Sequence, residues 1–140
     1  MPEYVQADPT IRRRWLVGAA LLAIAWYVLL YPVATALYGP PGAAPDGRAQ
    51  AARLVYEEAV KIALLVLPVL VAAWIGAKTL ASRTFPPPRA RVPATLSITR
   101  GAPAIATGVA LLAAALLTVV FRALSLKVSL ELADLLRRVG

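Results

Sequence analysis

Glu57, Glu58 and Lys61 stand close together, immediately before an apolar run that begins at Ile62. An ionisable side chain at the centre of a hydrocarbon core costs roughly 3 kcal/mol or more, so such groups mark ion paths, proton relays or buried contacts. These three could form a charged vestibule or an ionic contact with a neighbouring subunit. They also fit a plainer role as the wetted first turn of a helix. Glutamates suit the positive end of a helix dipole, and Glu57 and Lys61 are spaced i, i+4 for an ion pair. The plainer role is the expectation, with both glutamates solvated.

Little else in the chain could do chemistry. It contains no cysteine and no histidine. Thiol chemistry, thiolate metal sites and iron–sulfur clusters are thereby excluded, as are histidine-ligated haem and histidine-based triads. Only Thr35, Thr107 and Thr118 place polar groups other than aromatic ones within the apolar runs. No catalytic residue, no cofactor and no metal site is expected, and the chain is read as a non-enzyme.

The elements that must position these residues are set by the distribution of charge. The 140-residue chain is 60% hydrophobic and 16% charged, with mean hydropathy +0.71, against about 25% charged residues in soluble domains. Charge avoids three stretches. The first, 15–38, has 24 residues without a charge, about 36 Å of helix against a hydrocarbon core of about 30 Å. Pro32 should bend it and free a carbonyl, near which the sequence offers Tyr31 or Thr35 without placing either there. The second, within 57–79, is charge-free from 62 to 77, and Lys61 and Lys78 can snorkel to opposite interfaces. Pro68 should kink it. The third, within 102–122, has 20 uncharged residues closed by Arg122. The predicted fold class is therefore an all-α integral membrane protein with three transmembrane helices, 15–38, 57–79 and 102–122.

The segments between them read as connections. Residues 1–14 form a polar N-terminal tail, 39–56 a Gly/Pro turn and the start of the second helix, and 80–101 a Pro/Arg-rich loop. The proline triplet at 86–88 favours an extended, solvated linker; Phe85-Pro86-Pro87-Pro88 and Thr99-Arg100-Gly101 read as its anchors. Residues 123–140 are predicted to be a C-terminal amphipathic helix. Leu124, Val128, Leu132, Leu135 and Leu136 fall on one face, opposite Lys127, Glu131, Asp134 and Arg138. A basic start and Ala34-Thr35-Ala36 fit a cleaved leader, but the first run is far longer than the 7–15 apolar residues of secretory signals. An uncleaved anchor is expected.

Two kinds of packing face follow. Small residues at four-residue spacing, Ala72 with Gly76 and Ala104 with Gly108, allow helices to approach closely in lipid; Ala106, Ala110 and Ala114 have the same spacing. Trp26, Tyr27 and Tyr31 fit helix packing with a local hydrogen bond, or a surface for a lipid, quinone or pigment.

The net charge of +8 lies mostly beside the apolar runs, at Arg12, Arg13 and Arg14 and at Arg83, Arg89 and Arg91. That placement fits headgroups and topology signals rather than nucleic acid. Lysine and arginine count eight on the side of the N-terminus and the 78–100 loop, against seven on the other. The triplet abutting the first span favours an N-terminus inside and a C-terminus outside a bacterial inner membrane. Trp15, Trp74 and Phe85 would form one aromatic belt and Tyr38, Tyr56 and Phe121 the other. With no chemistry in view, the expectation is a non-catalytic accessory or scaffold subunit of a larger membrane complex. Its partners would be the bilayer and other membrane subunits, docked on the Leu124, Val128, Leu132, Leu135 and Leu136 face. The alternative is a small oligomeric channel, holin-like pore former or transporter component, for which a homo-oligomer would be needed.

Overall fold

The computed structural model describes residues 3–40 and 47–139. In chain order these form strand β1 (Tyr4–Val5), helix α1 (Pro9–Val28), a π-helical turn (Leu29–Val33), helix α2 (Ala34–Tyr38), helix α3 (Gly47–Ser82), strands β2 (Thr84–Phe85), β3 (Leu96–Ser97) and β4 (Thr99–Arg100), and helix α4 (Ala102–Val139). The chain is mostly helical. Pro9–Tyr38, Gly47–Ser82 and Ala102–Arg138 are long and apolar enough to cross a membrane. The turn expected over 41–46 lies outside the described residues.

The helices overrun the boundaries that charge alone suggested. α1 starts at Pro9 because Asp8 caps it: the Asp8 carboxylate accepts from the backbone N–H of Thr10 at 2.9 Å and of Ile11 at 3.3 Å. Proline at the first helical position forfeits no bond. α3 has 36 residues and passes through Pro68 without interruption. α4 has 38 residues, so 123–139 is not a separate element. Nothing between Val119 and Leu126 breaks a helix, and the ladder runs on through Arg122. The predicted amphipathic C-terminal helix needs correction in a second respect. Exposed Leu130 and half-buried Leu126 put apolar groups beyond the expected face, so this stretch is apolar rather than clearly amphipathic.

The chain divides into two compact units. The first comprises Met1–Leu21 and Leu67–Thr118. Its polar segments are knitted together rather than loose. β1 pairs antiparallel with β3, Tyr4 opposite Ser97 and Val5 opposite Leu96. β2 pairs antiparallel with β4, Thr84 opposite Arg100 and Phe85 opposite Thr99. The Asp8 N–H donates to the Val92 carbonyl at 3.0 Å, and the Ile98 N–H to the Glu3 carbonyl at 2.8 Å. Arg100 pairs with Glu3. Pro86, Pro87 and Val92 are buried. The proline segment expected to be solvated is therefore partly buried, while Pro88, Arg89 and Arg91 stay exposed. Backbone donors and acceptors away from water must find partners, and each segment supplies the other's. Arg83, at φ 53°, ends α3 in the left-handed region, and Gly101, at φ 71°, precedes α4. The Gly101 N–H donates to the Arg83 carbonyl at 3.0 Å, which ties the two helix ends together.

In the same unit α3 and α4 meet backbone to backbone. A Cβ added at Gly76 would lie 3.0 Å from the Gly108 carbonyl oxygen, and one at Gly108 would lie 2.9 Å from Leu80 Cγ and 3.1 Å from the Gly76 oxygen. Ala104 is fully buried beside this crossing and Ala72 is half-buried, whereas Ala106, Ala110 and Ala114 face outward.

The second unit comprises Leu22–Val66 and Val119–Gly140. Its buried apolar side chains are mostly small as well: Ala34, Ala51 and Ala133, with Leu30.

Gly76→Leu should lower the stability of the α3–α4 pair by about 1–3 kcal/mol, the usual cost of forcing a larger side chain into a filled contact. Ala110→Leu, on the outward face, should change it little. Unfolding midpoints in mixed micelles are the check; equal midpoints for the two variants would mean that the crossing is not a close contact.

Candidate functional site

The charged residues that precede the second apolar run all belong to the second unit, and they are not a solvated turn. α3 is helical from Gly47, so Glu57 and Glu58 lie ten or more residues inside it, beyond its first turn. Successive residues there point different ways, and the two glutamates have different surroundings.

Glu58 is 8% exposed. Its Oε1 accepts from Lys61 Nζ at 2.8 Å, one turn on, and its Oε2 lies 3.7 Å from Arg122 Nη1 on α4. That oxygen has no hydrogen bond of good geometry. Glu57 pairs backward rather than forward: its Oε1 accepts from Arg53 Nε at 2.8 Å. Arg53 is also 8% exposed, and its Nη1 donates to the Gly39 carbonyl at the end of α2. The expected Glu57–Lys61 pair is therefore replaced by Arg53–Glu57 and Glu58–Lys61. Arg53 wins Glu57 because its fork is anchored at a second point, which an ammonium on a flexible stem cannot match.

Tyr56, between these groups, ties α3 to the helix that precedes it. Its hydroxyl donates to the Leu29 carbonyl at 3.2 Å, and its ring lies 5.5 Å from that of Tyr38. Leu29 opens the π-helical turn that contains Pro32. Proline lacks the N–H that would continue the ladder, the turn widens, and Tyr56 supplies a donor to it. Tyr31 and Thr35 are both exposed. Tyr27 and Tyr31 face outward with ring centroids 5.4 Å apart, and Trp26 beside them is half-buried.

The cluster is thus Arg53, Glu57, Glu58, Lys61 and Arg122, with two backbone carbonyls and one tyrosine. Sequence alone assigns Arg53, Tyr56 and Arg122 to no such cluster; it places Tyr56 in an aromatic belt and Arg122 at the end of the third apolar run. Arg53 was legible as a second i, i+4 partner for Glu57. Arg122 was not, because its contact joins residues far apart in the chain. Among the described residues no group of three or more acidic, histidine or cysteine side chains converges as a metal would require. The arrangement is electrostatic: one buried carboxylate held between two cations on two helices.

The remaining residues singled out from sequence lie elsewhere. Leu124, Val128, Leu132 and Leu135 are exposed along α4, and Leu136 is half-buried. Lys127 and Glu131 approach to 3.8 Å and Asp134 and Arg138 to 2.5 Å, all exposed, so neither pair adds much stability.

No family model, curated protein or solved structure matches the chain.

Glu58→Gln should be costly, because it leaves Lys61 and Arg122 without their shared partner. Removing one member of a buried pair typically costs about 3–5 kcal/mol. Glu57→Gln should cost about 1 kcal/mol, since Arg53 keeps the Gly39 carbonyl. Thermal unfolding of both variants in the same detergent tests the order; a Glu57 variant at least as damaged as the Glu58 variant would overturn it.

Proposed function

We propose that this chain is a non-catalytic accessory or scaffold subunit of a larger membrane protein complex, docked through the C-terminal part of α4. The observation that carries the reading is the length of α4 set against where its exposed leucines lie. Its 38 residues run about 57 Å at 1.5 Å per residue. A core of about 30 Å takes up some 20 residues of an upright helix, and about 26 even at a 40° tilt, the upper end of the usual range. Counted from Ala102, next to Arg100 and Gly101, the core ends between about Phe121 and Lys127. Leu132 and Leu135, 45% and 59% exposed, then lie beyond the hydrocarbon. Apolar side chains in that position gain from burial against protein, at about 25 cal/mol per Å². The charged residues of this stretch, Lys127, Glu131, Asp134, Arg137 and Arg138, mix both signs and leave a net charge of only +1. A surface of that kind has little net attraction for anionic lipid and suits a protein partner better.

A second reading has one observation in its favour. The Glu58, Lys61 and Arg122 cluster puts buried charge at the ends of two apolar runs, as the vestibule of a small oligomeric channel or transporter component would. Conductance by the purified chain alone in planar bilayers separates the two readings.

We further infer that the N-terminus and the 78–100 segment face the cytoplasm. The first unit has eight basic and two acidic residues, and of its cations only Arg100 has a carboxylate partner among the described residues. In the second unit Arg53, Lys61, Arg122, Lys127 and Arg138 are all paired with carboxylates. The positive-inside rule counts lysine and arginine beside the spans, and here that count is eight against seven, with Arg12, Arg13 and Arg14 abutting the first span.

Two outcomes follow. Leu132→Ser with Leu135→Ser should release the proteins that co-purify with the chain from its native membrane, while the chain itself still resists alkaline carbonate. Full retention of those proteins would end the docking reading. For orientation, single cysteines replacing exposed Arg89 and exposed Lys127 should differ towards an impermeant maleimide in intact cells. Labelling is expected at position 127 and not at 89, and the converse would invert the assignment.

A further inference from the structure

We propose that Thr10, Arg13, Arg14, Val17, Gly18 and Leu21 form a binding site for one anionic phospholipid. The six residues line a groove of about 490 Å³ on one face of α1, wholly within the first unit. It is open along its length, as a site facing the bilayer would be. Its two ends differ in chemistry in the order a phospholipid presents. Thr10, Arg13 and Arg14 form a cationic, hydrogen-bonding end, and Val17, Gly18 and Leu21 an apolar one. From Thr10 to Leu21 the helix rises about 16 Å, enough to run from a headgroup phosphate down to the upper part of an acyl chain.

Three further observations favour a lipid anion there. The described residues give neither Arg13 nor Arg14 a carboxylate within ion-pair distance. The nearest acidic residue in sequence, Asp8, is committed to capping α1 through the Thr10 and Ile11 N–H groups. Two adjacent guanidinium groups on one helix face repel each other unless an anion sits between them, and planar forks suit phosphate oxygens. The Thr10 hydroxyl donates to no acceptor among the described residues and stands at the same end. Finally, a Cβ at Gly18 would meet nothing within 4 Å. This glycine is not required by helix packing within the chain. It leaves a notch below the arginines, between Val17 and Leu21, where an acyl chain can lie against the helix. A free phosphate would use the arginines but not the notch; a phospholipid uses both. The inference does not depend on the docking reading of α4 or on which side of the membrane the N-terminus lies.

The test uses the full-length chain, delipidated in a non-ionic detergent and titrated with phosphatidylglycerol or phosphatidylcholine under native mass spectrometry. One phosphatidylglycerol per chain is expected to bind in clear preference to phosphatidylcholine. Arg13→Gln with Arg14→Gln should weaken phosphatidylglycerol about 30-fold, from the gain usual per basic residue at an anionic surface, and leave phosphatidylcholine unchanged. Gly18→Leu, which adds a side chain into open space and alters no charge, should weaken phosphatidylglycerol about tenfold by filling the notch. Arg89→Gln with Arg91→Gln should leave it unaltered. The proposal is overturned if the chain has no preference for phosphatidylglycerol, or if the 89/91 variant loses as much as the 13/14 variant, which would mean diffuse attraction only. It is equally overturned if Gly18→Leu binds normally, or if inorganic phosphate at equal concentration displaces the lipid.

Discussion

A hydrocarbon core of about 30 Å accepts some 20 helical residues, and α3 and α4 contain 36 and 38. Most of what distinguishes the chain follows from that surplus. An isolated helix extending beyond the lipid would fray, since short helical stretches in water are marginal without packing. Here the extension of α3 before Ile62 and that of α4 after Phe121 belong to one compact unit. Glu58 on the first meets Arg122 on the second. The buried carboxylate sits where the helices leave their apolar runs, so α3 and α4 are clamped at the point where lipid ceases to hold them. Small buried residues, Ala51 and Ala133, allow close packing further along each extension.

The crossing at Gly76 and Gly108 does the corresponding work in the first unit by a different means. In lipid there is no hydrophobic gain from joining two apolar helices, and close backbone contact takes its place. The two devices differ in what they tolerate. A glycine crossing is sensitive to added volume and indifferent to charge. The Glu58 clamp is sensitive to charge and more tolerant of volume, since Lys61 and Arg122 reach it on flexible stems. One such device holds the α3–α4 pair within each unit, and Leu116, Leu117, Val119 and Val120 are left exposed.

How much of this was legible in the sequence follows the range of the interactions. The three membrane-length helices were legible because their signal, absence of charge over 16 to 24 residues, is local and strong. The Gly76 and Gly108 spacing was legible for the same reason, though which alanines shared that face was not: Ala104 turns inward while Ala106 and Ala110 turn out. The pairing of β1 with β3 left no trace, because two-residue strands have no periodicity and their partners lie some ninety positions apart. Even so, Phe85 and Thr99, singled out as parts of two loop anchors, prove to be opposite each other across β2 and β4. The glutamates were misplaced for an instructive reason. An i, i+4 rule offers Glu57 two partners, Arg53 and Lys61, and favours a glutamate that precedes its lysine. Tertiary structure decides otherwise, because the Gly39 carbonyl holds Arg53 in place and Arg122 draws Glu58 and Lys61 into a separate group.

The same comparison bears on how function is distributed along the chain. Polar residues that sequence alone places at the surface divide, in the structure, into two classes. The described acidic residues of the second unit are consumed by neighbours: Glu57, Glu58, Glu131 and Asp134 each hold a cation. The arginines near the N-terminus are not: Arg12, Arg13 and Arg14 are exposed on α1, with no acidic side chain among the described residues within ion-pair distance. Charge that is paired internally does little to attract a partner, because its field is cancelled within a few ångströms, well inside a Debye length of about 8 Å. Unpaired charge keeps its reach. On the two proposals made above, the two ends of the chain would therefore suit different partners. At the arginine end an anion completes the surface. Along 123–138 four of the five charged residues are paired with one another, and the larger part of what stays exposed is apolar, which burial against another apolar surface would remove from water.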